Sequence, residues 1–516
     1  MDNKNRVLYV DRAAAYAKMR NFEASLIDAS KVVELSPQWP KGYLRKGFAH
    51  FYLGQYRHAA NAYLEGLKYD PENLPLRRGF DEALLCIRQH RYDPHLLEVD
   101  DGSDGSGTLL LAVDNHELDE TVHYPLVLLS GLATGATSVT FKHGNWSKEH
   151  EVIDGRFKGL VRLEDGPNDI MMKAGKKSGK ITLHYVPPTC PFKFRFHLVV
   201  AQEGDGSFAG PSGDIFQGDR AMARLRFAAM LVQTYFAEHA FSHEFPGLTI
   251  AWDLDQAGLP IVNKVELSVN LDESLALDPD TIFDEVAQLI PASRDAHERL
   301  ECIDIAILNL PGHTMDNDWV FTNDHLSLEP AKSLFAWAEG LDDYQEAFLD
   351  TTAIPEAHIP FFTGTEVSGT YWASFSAAVG SLVKNIGAMI NLEGGGQEPN
   401  TMDRHGWEYL NRTFMLKEAP SRSTKGMESI SLDDEIGLSR LSALLLKFND
   451  FGICGDEYAA PGNPPSIEEV VDDFAIEAPC GLRCIIYRMD DDTAQFEEFL
   501  DEAPFSRSIS GDELQA

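Results

Sequence analysis

Residue pairs that match at a spacing of 34 dominate the start of this chain: Tyr9 and Tyr43, Ala13 and Gly47, Phe22 and Tyr56, Ser25 and Ala59, Pro37 and Pro71. That period predicts a repeat of two antiparallel helices, because such a unit buries its apolar face only when the next unit stacks on it. Small residues at Ala13, Gly47 and Ala59 let the paired helices approach closely, the aromatics fill the space between them, and each Pro ends a second helix. The run from Leu74 to Gln89 reads as a capping helix, which gives an all-α unit over residues 1–97. Two repeats and a cap fall short of the three or so repeats such units need, so the unit either docks on the rest of the chain or has lost a first repeat.

Residues 98–107, EVDDGSDGSG from Glu98 to Gly107, are too acidic and too rich in Gly and Ser to bury a core and are expected to be a linker. From 108 to 201, short apolar runs such as LLLAV, YPLVLLSGL, KITLHYV and FRFHLVV alternate with Gly, Pro, Asn and Asp, the pattern of an antiparallel β-sandwich. Lys173, Lys176, Lys177 and Lys180 lack the glycine spacing of a phosphate-binding loop and are expected at a hairpin tip. An amphipathic helix from Asp219 to His243 then opens an α/β region that runs to residue 450. Residues 451–500 read as a small β-rich part, and residues 501–516 as a disordered acidic tail.

Composition narrows the function classes. A formal charge of −37 disfavours nucleic acid and anionic membranes, whose recognition needs basic surfaces. No run approaches the ~20 apolar residues of a membrane span, and MDNKNRVLYV lacks the hydrophobic core of a signal peptide. Cysteines scattered at 86, 190, 302, 454, 480 and 484 suit a reducing compartment, and the cytoplasm is expected, with the nucleus also open to such a chain.

The block LYVDRAAAYAKM followed by KGYLRKGFAHFYLGQYRHAANAYLEGLK resembles the co-chaperone type of tetratricopeptide repeat (TPR) domain, which holds the C-terminal carboxylates of heat-shock chaperones. On that resemblance Lys41 and Arg45, one helical turn apart, are the peptide-binding clamp cations. The chain departs from the family at Asp11, where an Asn is usual, and a carboxylate there opposes capture of another carboxylate. A protein or peptide partner in the groove, in particular a heat-shock chaperone C-terminus weakened by Asp11, is therefore expected.

A second resemblance rests on Gly369-Thr370-Tyr371-Trp372-Ala373-Ser374-Phe375, Gly380-Ser381, Gly387, Met402, Arg404, Gly406 and Asn411-Arg412, together with Asp154-Gly155-Arg156-Phe157-Lys158-Gly159 upstream. These blocks resemble a eukaryotic, fungal-type family of zinc metallopeptidases, which implies a zincin-like α/β domain over residues 202–450. In that family a His-Glu-x-x-His helix binds zinc, with the Glu as general base. Here Lys384 stands for the first His, Asn385 for the Glu, Ala388 for the second His and Gly394 for the third ligand. Lys is a cation at neutral pH, Ala and Gly bring no donor atom, and Asn takes no proton from water. No catalytic residue, metal ligand or cofactor is therefore expected at this degenerate motif. His116-Glu117 fails as a zinc motif because position 120 is Glu, whereas His239 and His243 at i and i+4 share a helical face.

The resulting expectation is a multidomain chain: all-α TPR repeats, a β-sandwich, a zincin-like domain and a small β-rich end. Functionally it reads as a pseudopeptidase that binds a protein without cutting it. The alternative is an active zinc metalloendopeptidase with non-standard ligands His239, His243 and His405.

Overall fold

The computed structural model describes residues 5–510 except 54, 71–72, 90–94, 101–108, 191, 244, 293–301, 311–319, 324, 332, 356–368, 393–400, 402–405, 422–424, 432–433, 450, 454–465, 471–472, 478–483, 490–491 and 499–505. Helices α1 (Arg6–Lys18), α2 (Phe22–Leu35), α3 (Pro40–Tyr52), α4 (Tyr56–Tyr69) and α5 (Leu74–Gln89) form two helical pairs and a cap, as the 34-residue period predicts. Asn21 caps α2 by accepting from the Ala24 N–H at 3.0 Å, and Pro40 sets the first turn of α3. Gly47 is small for a physical reason: a Cβ there would lie 2.6 Å from the Tyr63 ring. The helical unit touches the next part of the chain where the Lys68 ammonium meets the Asp154 carboxylate at 2.7 Å.

Strands β1 (His95–Asp100), β2 (Leu109–Val113), β4 (Leu126–Thr134) and β7 (Arg156–Arg162) make a four-stranded sheet. Strands β3 (Glu120–Val122), β5 (Ser138–His143), β6 (Trp146–Glu151), β8 (Gly166–Ala174) and β9 (Lys177–Tyr185) make a five-stranded one. Both sheets send side chains into one buried cluster, with Leu111, Val127, Leu129 and Val161 from the first and Phe141, Ile170, Met172 and Leu183 from the second. Alternating burial along β8 shows why: every second residue faces that cluster. Lys176 stands at the tip of the β8–β9 hairpin, and Gly175 takes a φ of 58° there, so this lysine group serves as a water-facing turn.

Three expectations change. Residues 98–100, assigned to the linker, belong to β1, whose Asp100 pairs with Leu109 of β2. Strand β3 runs parallel to β9, so the second sheet is not wholly antiparallel. The run FRFHLVV, assigned to the sandwich, forms β10 (Lys193–Val200) and pairs in parallel with β14 (Val262–Glu266) and β15 (Cys302–Leu308). Burial explains the last change, since five consecutive residues at the end of β10 are buried, as in a strand covered on both faces.

Between β10 and β14 come the short pair β11 (Phe208–Ala209) and β12 (Ile215–Phe216), the long helix α6 (Gly218–Ser242) and β13 (Thr249–Ile250). After β14 follow α7 (Leu271–Ser274), α8 (Pro279–Ala292), β15, β16 (Phe321–Thr322) and β17 (Leu326–Pro330), which completes a five-stranded sheet in the order β14-β10-β15-β17-β16. One buried cluster joins Phe196, Leu198 and Ile305 of this sheet to Leu225, Leu231 and Tyr235 of α6 and to Phe375, Val379, Leu382 and Ile386 of a later helix, α10 (Tyr371–Met389). The remaining helices are α9 (Tyr344–Ala347), α11 (Asn411–Phe414) and α12 (Arg440–Lys447). Among the described residues, no helix is long and apolar enough to cross a membrane.

The C-terminal part contains antiparallel strands, as expected, with Ser466–Val470 and Cys484–Met489 among them. Ser506–Ser510 pairs with Asp473–Glu477, so part of the segment expected to be a disordered tail is a strand. Cys480 lies outside the described residues.

A buried ion cluster ties the first sheet pair to the end of the α/β region. Glu435 accepts from Arg156 Nη2 and Lys158 Nζ, both at 2.9 Å, and Lys158 also donates to the Thr413 carbonyl at 2.7 Å. Burial pushes the Glu435 carboxyl up, but Lys158 and Arg156 outweigh it and hold it at about 2. A carboxyl depressed in the fold stabilises above the unfolded pKa of about 4.3 and loses that contribution as pH falls toward 2. Glu435→Gln is expected to lower stability at pH 7 by about 3–5 kcal/mol, because two buried cations lose their counterion. Thermal unfolding followed from pH 7 to pH 3 should show the gap to wild type narrowing on acidification. A gap independent of pH would contradict the assignment.

Candidate functional site

The degenerate motif lies on α10, which is buried along most of its length. Its position is set by close backbone contact: a Cβ at Gly380 would fall 1.7 Å from the Trp407 carbonyl oxygen, so only glycine admits the 3₁₀ turn Gly406–Tyr409 at that crossing. The Ser376 hydroxyl donates to the Glu408 carbonyl at 2.8 Å and accepts from the Asn411 N–H at 3.0 Å. Trp372 donates its indole N–H to the Pro420 carbonyl at 2.9 Å. Asn411 and Arg412 in turn donate to the buried Glu418, Arg412 as a two-pronged fork at 2.9 and 3.1 Å. The described residues Trp372, Gly380, Gly406, Asn411 and Arg412 of these motif blocks, with Ser376, thus form one connected scaffold.

The four positions that the sequence reading aligned with ligands and base lie as follows. Lys384 and Ala388, one turn apart, are both exposed. The Lys384 ammonium sits 5.7 Å from the centre of the Trp407 ring, a cation–π contact. Asn385 donates its amide to Glu329 Oε1 at 2.8 Å, and Ser381 and Ser327 hydroxyls lie 3.5 Å from the same carboxylate. Gly394 lies outside the described residues, as do Met402, Arg404 and His405. A catalytic zinc needs three protein ligands and an open position. An ammonium held over an indole, a methyl group and a glycine do not supply them, so the residues present do not fit the metal.

His239 and His243 each make a hydrogen bond with a residue of the later chain. His239 is buried on α6, its Nε2 is 2.9 Å from Thr413 Oγ1, and burial drives its pKa down to about 3. His243 at the end of α6 holds the Leu438 carbonyl through Nε2 at 2.7 Å. Among the described residues no group of three or more His, Cys, Asp or Glu side chains could hold a metal ion. His116, which failed as a zinc motif, is instead buried between Glu120 at 2.9 Å and Glu238 at 3.9 Å.

Two groups beside the motif escaped the sequence reading. Glu329 is buried on β17 and supplies the carboxylate that engages Asn385. Glu408 is buried next to Trp407, and burial raises its pKa to about 7. A lone acid inside the apolar strand LSLEP is the signal that could have marked Glu329.

In the helical unit, Lys41 is exposed, with its ammonium 5.9 Å from the Trp39 ring, and Arg45 is half-buried with an Nε that has no hydrogen-bond partner. Asp11 is exposed, whereas its neighbour Arg12 forms a bidentate pair with Asp28 at 2.6 and 2.7 Å.

Residues 111–258 and 323–471 match the sequence pattern of the family Metallopep, described as "Putative peptidase family", over more than half of the chain. The chain belongs to this peptidase family. Its N-terminal region is similar to other proteins. It is 48% identical over 79 residues to a Hsp70-Hsp90 organizing protein of Triticum aestivum, covering 15% of this chain and 14% of the relative. It is also 37% identical over 95 residues to heat shock protein STI1 of Saccharomyces cerevisiae, covering 18% and 16%. The chain thus spans less than a fifth of the length of these relatives. Among solved structures, it is similar to the first TPR of Spaghetti (RPAP3) bound to the HSP90 peptide SRMEEVD, with 28% identity, a TM-score of 0.16, and 17% and 68% coverage. It is also similar to OgpA of Akkermansia muciniphila, with 10% identity, a TM-score of 0.36, and 64% and 86% coverage.

For this member of the peptidase family, replacing both His239 and His243 by Ala is expected to leave the zinc content of purified protein unchanged by inductively coupled plasma mass spectrometry. A fall in zinc on substitution would make them ligands.

Proposed function

We propose that this chain is a protein-binding member of its peptidase family, a pseudopeptidase of the cytoplasm whose TPR repeats recruit a partner and whose peptidase-family part binds without cleaving. In this reading the paired sheets are a β-sandwich, and the β14-β10-β15-β17-β16 sheet with α6 and α10 is a zincin-like domain. The observation that carries it is the hydrogen bond from Asn385 to Glu329. The residue in the general-base position is an amide committed to a buried carboxylate, flanked by a cation and a methyl group in the ligand positions. Such a face presents Lys384 to peptide carbonyls and puts an amide, which takes no proton from water, in the general-base position. No cofactor is called for.

On the helical side, Lys41 and Arg45 supply the cations for a partner's carboxylate, and the relatives named for Hsp70 and Hsp90 make a chaperone tail the first candidate. The rival reading, an active enzyme built on His239, His243 and His405, requires His239 to give up its hydrogen bond with Thr413 and His243 to release the Leu438 carbonyl.

The test is cleavage. Purified full-length protein incubated with zinc and a panel of unstructured and glycosylated polypeptides should yield no fragment above background, with or without a chelator, by mass spectrometry. Specific fragments that disappear with the chelator would overturn the proposal.

A further inference from the structure

Helical spacing puts two rows of side chains on the accessible side of the first helices of the two repeats: Val7, Asp11, Ala14 and Lys18 on α1, and Lys41, Arg45, Phe48 and Tyr52 on α3. None of these residues is buried. By the 34-residue period, Asp11 and Arg45 occupy equivalent places on neighbouring helices, and Lys41 stands one turn before Arg45. Other charged side chains of the helical unit find counterions: Arg12 with Asp28, Lys31 with Glu34, Lys68 with Glu65 and Asp154. Asp11, Lys41 and Arg45 form no ion pair among the described residues, and the Arg45 Nε is buried without a hydrogen-bond partner. Lys41 is further drawn onto the Trp39 ring, whose other neighbour is the Arg6 guanidinium at 4.7 Å.

We infer that the groove of the helical repeats takes a peptide end of mixed charge, a carboxylate set beside a cationic side chain, in preference to a purely acidic one. This rests on the reading of Lys41 and Arg45 as carboxylate-binding cations. Coulomb attraction matches each charge in turn: Lys41 and Arg45 take the carboxylate, and Asp11 takes the cation. A second acidic group placed at Asp11 would instead meet a like charge with no counterion of its own. The reach is right, because neighbouring helices lie about 10 Å apart and a lysine side chain beside its own terminal carboxylate spans much of that gap.

The test uses the full-length chain and two fluorescein-labelled heptapeptides, SRMEEVD and SRMEEVK, in fluorescence anisotropy at low salt. Wild type is expected to bind SRMEEVK at least about fivefold more tightly than SRMEEVD, and Asp11→Asn to reverse that order. The double variant K41A/R45A is expected to bind neither. Circular dichroism that overlays with wild type keeps loss of binding distinct from loss of fold. An unchanged order in D11N, or tighter binding of SRMEEVD by wild type, overturns the charge assignment while carboxylate capture stands. Binding that survives K41A/R45A, or no binding of either peptide to wild type and D11N, overturns the capture reading as well.

Discussion

The crossing of α10 and the 3₁₀ turn at Gly380 fixes where everything around the degenerate motif can lie. With no side chain at that position the two backbones touch, and Ser376, Asn411 and Glu408 lock the contact with hydrogen bonds. Phe375 stacks on Phe348 with ring centres 4.5 Å apart, and Val379, Leu382 and Ile386 enter the same core. Apolar burial of this kind, worth about 1.5–3 kcal/mol for each large side chain, holds the helix without a metal bond. A helix so anchored keeps its orientation when the residues on its open face change.

Electrostatics supplies the second level of order. Arg156 and Lys158 reach from β7 to Glu435, and Lys158 also engages carbonyls at Arg412 and Thr413, so the first sheet, α11 and the loop before α12 are bound at one point. The same region holds His239 against Thr413. Burial keeps the His239 ring neutral, Lys158 and His243 adding to it against the opposing pull of Glu435. On α10, the Asn385 amide pairs in the same way with the buried Glu329 carboxylate.

Much of this was legible in the residues. The 34-residue period gave two helical pairs, and the cap read from Leu74 to Gln89 has those bounds, because repeat stacking is local and periodic. The α10 helix and the place of Lys384, Asn385 and Ala388 on it followed from motif blocks contiguous in sequence. Strand membership was harder. The run FRFHLVV sits next to the sandwich strands in sequence, yet its partners Val262–Glu266 and Cys302–Leu308 are more than sixty residues away and pair in parallel, a non-local choice that alternation alone does not reveal. Glu98–Asp100 looked like linker because of their charge, although a sheet edge tolerates charged residues. Glu329, Glu435 and the embrace of His239 by Thr413 depend on contacts across more than fifty positions, which one sequence does not announce.

We propose that the open face of α10 holds no zinc. Crystals of the full-length protein grown with zinc, and measured on both sides of the zinc absorption edge, test it most directly. No anomalous peak is expected beside Lys384, Asn385 and Ala388, with Asn385 still hydrogen-bonded to Glu329. A well-occupied zinc peak on that face, ligated by side chains from any part of the chain, would contradict it.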